Sequence, residues 1–80
     1  MQDPSLYNSP GIAGRIKNRA KQLKLPLKEI LISCELGSNT FSSMLHGRSI
    51  ASDSLARIAD ELDCSVDYLL GRTENPDVNR

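Results

Sequence analysis

Apolar residues recur along this chain with the period of an α-helix, and no segment alternates with the period of a strand. Ile12, Ile16, Ala20 and Leu23 stand at i, i+4, i+8 and i+11, one face of a first helix whose opposite face carries lysine and arginine. Ser9-Pro10 reads as an N-cap followed by proline at the first helical position. Lys24-Leu25-Pro26 predicts its end, because the residue before a proline is pushed out of the helical region. Leu27, Ile30, Leu31 and Cys34 then mark a short second helix. Glu35-Leu36-Gly37 follows as a tight turn, with Gly37 expected at positive φ and Leu36 tucked inward.

A third helix is predicted from a cap at Gly37 or Ser38 up to Gly47, with Phe41, Met44 and Leu45 on its inner face. Arg48 to Ala51 form a connector. Ser52 is expected to cap a fourth helix, with Asp53 favourable in its first turn and Leu55, Ile58, Ala59 and Leu62 facing inward. Asp63-Cys64-Ser65 breaks the pattern, and Ser65 caps a fifth helix that buries Val66, Leu69 and Leu70 and stops at Gly71. The expected fold is all-α, a compact five-helix bundle with a helix-turn-helix at helices 2 and 3, since a turn that short forces a steep crossing. The expected organisation is a loose arm over residues 1–8, a domain over 9–71, and a polar tail over 72–80 with no need to be ordered.

The outward face of the third helix changes the picture from fold to function. Asn39, Ser42, Ser43 and His46 point away from Phe41 and Met44, with Ser38 in the first turn, so this surface is short, polar and uncharged. Solvated helices usually expose glutamate, lysine and arginine. Short donors and acceptors instead allow close approach to another polar surface, as a helix in the major groove of DNA requires.

The 80 residues carry ten positive and ten negative side chains, which by itself argues against a nonspecific nucleic-acid binder. Their distribution is uneven. Residues 11–50 hold seven positive and two negative side chains, whereas 51–80 hold three and seven. The molecule is therefore expected to be a dipole that approaches phosphates in one orientation. Eighty residues build one small core and leave no room for a large internal pocket. No run approaches the roughly 18 apolar residues of a membrane span, and no apolar leader opens the chain, so a cytoplasmic protein is expected. Cys34 and Cys64 match neither a CxxC pair nor a metal cluster and are expected in the core, with a bridge left open.

The pattern of five short helices ending in SLARIADELDCSVDYLLGRT resembles the Cro/C1-type helix-turn-helix family of phage repressors and their bacterial relatives. The likeness spans about residues 11–72 and is most specific from Leu55 to Gly71, similar to that family's fourth and fifth helices. Gly37 to Gly47 is similar to its recognition helix. The resemblance implies a lambda-repressor-like DNA-binding domain, bacterial or phage-encoded and nucleoid-associated, acting as a homodimer on double-stranded DNA without a cofactor or metal. It places Ser38, Asn39, Ser42 and Ser43 at base edges, and Thr40 and Arg48 at the DNA backbone. Beside it, positive charge and free backbone N–H groups at the start of helix 2 let Lys28 clamp a phosphate; Lys17 and Arg19 either reach the DNA backbone or stand on an exposed helix 1, and His46 either donates to a phosphate or faces solvent. Asn39 has the strongest chemistry of these, since its amide pairs bidentately with adenine N6 and N7.

Three positions depart from that family. Leu27 stands where many relatives carry a phosphate-binding glutamine. Ala20 and Leu45 replace an arginine–glutamate pair, an exchange that an apolar contact can absorb because neither charge is left alone. Glu35 stands where relatives often have glycine, and Gly37 is expected to take over that backbone role. The functional expectation is a sequence-specific transcriptional regulator, a repressor, dimerising through the acidic end near Tyr68. The alternative is an interaction or antitoxin-like module on the same fold, kept open by the zero net charge and the missing glutamine. Catalysis is not expected: His46, the sole histidine, neighbours no nucleophile, and Asp60, Glu61 and Asp63 read as solvated carboxylates.

Overall fold

The structure, a computed structural model, describes residues 7–77, so the expected loose arm lies outside the described residues over 1–6. Five helices follow one another: α1 (Ser9–Gln22), α2 (Leu27–Ser33), α3 (Thr40–Leu45), α4 (Ser52–Glu61) and α5 (Val66–Leu70). The described residues contain no strand. Helix α1 packs against α3 and α5, while α4 packs against α2 and α5.

One core joins all five. Ile12, Ala13, Ile16 and Ala20 of α1 meet Ile30 and Leu31 of α2, Phe41 and Met44 of α3, Leu55, Ile58 and Ala59 of α4, and Leu69 of α5. Leu62 and Cys64 close it from the α4–α5 connection. No polar or charged residue among those described is buried, so the core is held by apolar burial without an internal ion pair. Two expected core residues are instead exposed. Leu23 falls just past the end of α1 and is 38% exposed. Leu45 is 49% exposed, because α3 is only six residues long and Phe41 and Met44 take its inner side. Leu45 lies about 40° beyond Phe41 on the flank away from Met44.

Every helix ends in the same way. The residue that follows a left-handed position donates its N–H to the carbonyl five positions back: Leu25 to Ala20, Leu36 to Leu31, Arg48 to Ser43, Cys64 to Ala59 and Arg72 to Asp67, at 2.8–3.0 Å. This closure needs a left-handed residue between. Gly47 and Gly71 take that conformation freely, with φ of 94° and 84°, but Lys24, Glu35 and Asp63 take it at 58°, 58° and 49°. Thus α1 ends by this closure at Lys24, not by the pre-proline effect alone. Glu35, and not Gly37, adopts the positive φ after α2, so the expected transfer of that role to Gly37 does not occur.

The starts also differ from expectation in three cases, the first being α3, which begins at Thr40 with Asn39 before it and not from a cap at Gly37 or Ser38. Asn8 caps α1 by accepting from the Gly11 N–H at 2.7 Å, with Ser9 and Pro10 already helical. Ala51, extended at ψ 144°, precedes α4 without a side-chain cap, and Ser52 is its first helical residue. Ser65 caps α5 as expected, its Oγ accepting from the Tyr68 N–H at 3.0 Å. The tail is tied down as far as it is described: the Pro76 carbonyl accepts from the Ser65 N–H at 3.0 Å, and Thr73 and Asn75 side chains accept from Asn75 and Asp77 N–H groups.

Both cysteines are free and buried, which settles the open bridge in favour of core packing. Burial pushes the Cys34 thiol above its ordinary range, Glu61 and Asp60 push the same way, and Arg57 opposes them. Cys64 is raised by burial and by Asp63, against Arg19.

Candidate nucleic-acid interface

The candidate surface is built on α3 and the segments at its two ends. The chain enters through a turn at Gly37–Thr40, in which both the backbone N–H and the Oγ1 of Thr40 donate to the Gly37 carbonyl, at 3.1 and 2.7 Å. Ser38 and Asn39 form the crown of this turn and are exposed. From there α3 runs with Phe41 and Met44 anchored in the core, 8% and 1% exposed. That anchorage aims the opposite face outward. With about 100° per residue, Ser42, His46, Asn39 and Ser43 fan over roughly a third of the circumference.

Of these outward side chains, only His46 is engaged within the described chain. Asn39 precedes α3 without making a cap hydrogen bond, so its amide oxygen and both amide protons are available. Among the described residues Ser38, Ser42 and Ser43 have no side-chain partner within the chain, and Ser43 is half-buried while the other two are exposed. His46 is exposed and tethered, its Nδ1 lying 2.8 Å from the Ser42 carbonyl. Arg48 follows Gly47, exposed, with its backbone N–H fixed on Ser43, which sets its side chain at the carboxyl end of α3.

The remaining expected contacts divide. Lys28 is exposed in the first turn of α2 and Lys17 is exposed on α1; neither is tied to another residue of the described chain. Thr40 is different, because its hydroxyl proton is committed to Gly37 and a phosphate offers only acceptors. Arg19 is different too. Its guanidinium is half-buried against the end of α4, Nε donating to the Leu62 carbonyl at 3.0 Å and Nη2 to the Asp63 carbonyl at 3.1 Å, with Nη1 on Gln22.

Arg15, one turn earlier, makes the companion contact that sequence reasoning missed: Nη1 reaches the Leu69 carbonyl of α5 at 3.4 Å, and the guanidinium lies over Gly71, where a Cβ would come within 2.5 Å of it. A signal for both was available. Arg15 and Arg19 stand at i, i+4 directly beside the Ile12–Ile16 stripe, so their stems border the core and not the solvated face. The two carbonyl ends they reach carry partial negative charge, which a guanidinium complements. A shallow, open cavity of about 360 Å³ lies beside Arg15, lined also by Tyr68, Gly71, Thr73 and Glu74.

Among the described residues no helix is long and apolar enough to cross a membrane. Comparison with protein-family models, with curated proteins and with solved structures gives no match.

Proposed function

We propose that this chain is a sequence-specific DNA-binding regulator of the lambda-repressor-like, helix-turn-helix type, inserting α3 into the major groove and repressing by occupying its site. One observation carries the reading. The outward face of α3 offers Asn39, Ser42 and Ser43, uncharged and without side-chain partners among the described residues, on a helix pinned from behind by Phe41 and Met44. Leaving this many short donors and acceptors unpaired on a rigid helix suits a partner that is itself a dense array of hydrogen-bonding edges, and the major groove is one.

Asn39 and the serines read base edges, while Lys28, Lys17 and Arg48 supply the sequence-independent hold on phosphates. Seven positive and two negative charges in residues 11–50 favour that orientation. The likeness of Leu55–Gly71 to the last two helices of the phage-repressor family supports the fold in this reading, not the DNA contacts. A single small module buries too little surface for tight specific binding, so the active form is a homodimer on a pseudo-palindromic site with half-sites about 34 Å apart. A mobility shift against random duplex in low salt is the first test, since even nonspecific binding appears there below about 100 μM. No retardation at that level would overturn the assignment in favour of a protein-interaction module.

A further inference from the structure

We infer that His46 is a specificity-determining residue that reads an exocyclic amine of adenine or cytosine through its Nε2 atom. The inference rests on the DNA-binding reading of α3 and sharpens it, because a contact to phosphate was the role expected of this residue.

His46 Nδ1 lies 2.8 Å from the Ser42 carbonyl oxygen, one turn back along α3. A carbonyl only accepts, so Nδ1 must carry the proton. In a neutral imidazole the other nitrogen is then a bare acceptor. The tether also fixes the ring's direction: with Nδ1 turned back along the helix, Nε2 is carried on the far side of the ring, and the residue is exposed.

An acceptor has few partners on a duplex. Phosphate oxygens accept and cannot donate, so neutral His46 has nothing to give them. In the major groove the only donors are adenine N6 and cytosine N4, while guanine and thymine present acceptors and a methyl group. The position agrees with this chemistry. His46 stands seven residues after Asn39, two turns along the same outward face, so the two side chains address separate bases and not the same one. Asn39 supplies both donor and acceptor, the serines supply either, and His46 supplies acceptor only. Neutral His46 is thus the most selective hydrogen-bonding group on the face, and it discriminates against guanine and thymine by leaving its lone pair facing theirs.

The test uses the whole chain. The preferred duplex is selected from a random pool, and each adenine or cytosine in it is replaced in turn by an analogue lacking the exocyclic amine, purine for adenine and 2-pyrimidinone for cytosine. At one position per half-site the analogue is expected to weaken wild-type binding by about 2- to 10-fold, the worth of one hydrogen bond. His46→Ala is expected to lose the same factor on the native site and nothing more on the analogue. Long-range proton–nitrogen NMR of the free protein should show Nδ1 protonated and Nε2 bare.

A uniform loss for His46→Ala on native, analogue and random duplex would overturn the inference in favour of a phosphate contact. So would no loss on any of them, or the opposite tautomer. Asn39→Ala in the same selection separates the levels: if it relaxes base preference while His46→Ala does not, this inference alone falls, and if neither substitution changes preference, the DNA-reading proposal falls with it.

Discussion

Arg19 Nε donates to the Leu62 carbonyl at 3.0 Å, joining the last third of α1 to the end of α4 across 43 positions of sequence. The same guanidinium reaches the Asp63 carbonyl at 3.1 Å, so a single side chain satisfies two acceptors at a helix terminus whose own ladder has run out. Hydrogen bonds from a charged donor exceed the neutral average, but this group is half-exposed and part of that gain is screened. Arg19→Met, which keeps the stem against the core, is expected to lower unfolding stability by about 1–2 kcal/mol in urea titration. Its DNA affinity and salt slope should stay at the wild-type values while Lys17→Ala lowers both. A reduced salt slope for folded Arg19→Met would show that the residue contacts phosphate after all.

The left-handed residue after α2 carries backbone strain that lowers the stability of the fold. Glu35 holds φ at 58° so that Leu36 N–H can close on Leu31 at 2.8 Å. The left-handed conformation costs a side-chain-bearing residue about 1–2 kcal/mol, and glycine loses about 0.5–1 kcal/mol of unfolded-state entropy in exchange. Glu35→Gly is therefore expected to raise stability by about 0.5–1 kcal/mol, seen as a higher thermal midpoint. Gly37→Ala should be nearly neutral, since Gly37 is not at positive φ and nothing lies within 4 Å of an added Cβ. Equal behaviour of the two substitutions would place the strain elsewhere.

The thiols make stability fall at alkaline pH. Cys34 and Cys64 are both raised from a reference of 9.0, so each stays protonated in the fold after its unfolded counterpart has ionised. The unfolded state then binds fewer protons, and the sign of the linkage makes stability decrease as pH rises. The contribution is complete below about pH 9 and is lost as pH climbs through the folded values. Chemical denaturation at pH 8 and pH 10 should show that loss, and Cys34→Ala/Cys64→Ala should flatten it. In native buffer neither thiol should react with a disulfide reagent on the time scale on which both react in denaturant.

Asn39 and Lys28 are expected to fail differently. Asn39→Ala removes the amide proposed to read a base and should relax preference at one position per half-site, by about 5- to 150-fold for a bidentate pair. Lys28→Ala should weaken all sequences alike and reduce the salt slope by about one. Binding selection and salt titration on the same two proteins measure this. Equal losses on specific and random DNA for both would remove Asn39 from the reading set.

Helix capping gives a sharper contrast between neighbours of the same type. Ser65→Ala loses the cap on Tyr68 N–H and is expected to cost about 1 kcal/mol, whereas Ser52→Ala should cost little because Ala51, not Ser52, precedes α4. Denaturant midpoints of the two variants decide it.

The sequence by itself determined the five helices, their order and most of the core, because buried positions repeat at helical spacing and apolar burial does not depend on which neighbour supplies it. It also marked the outward face of α3, whose residues are set by their angle to Phe41 and Met44. What only the tertiary structure decided lies at the helix ends and borders. Leu45 and Leu23 match the apolar period, yet a six-residue α3 and the end of α1 leave them exposed. Arg19 reads as one more cation on a basic helix until the end of α4 is brought beneath it. Glu35 takes the strained φ because the six-residue closure demands it at that place in the chain, whatever residue stands there. Spacing encodes which way a side chain points along a regular helix. Which carbonyl it meets, and where the helix stops, depend on atoms far away in sequence.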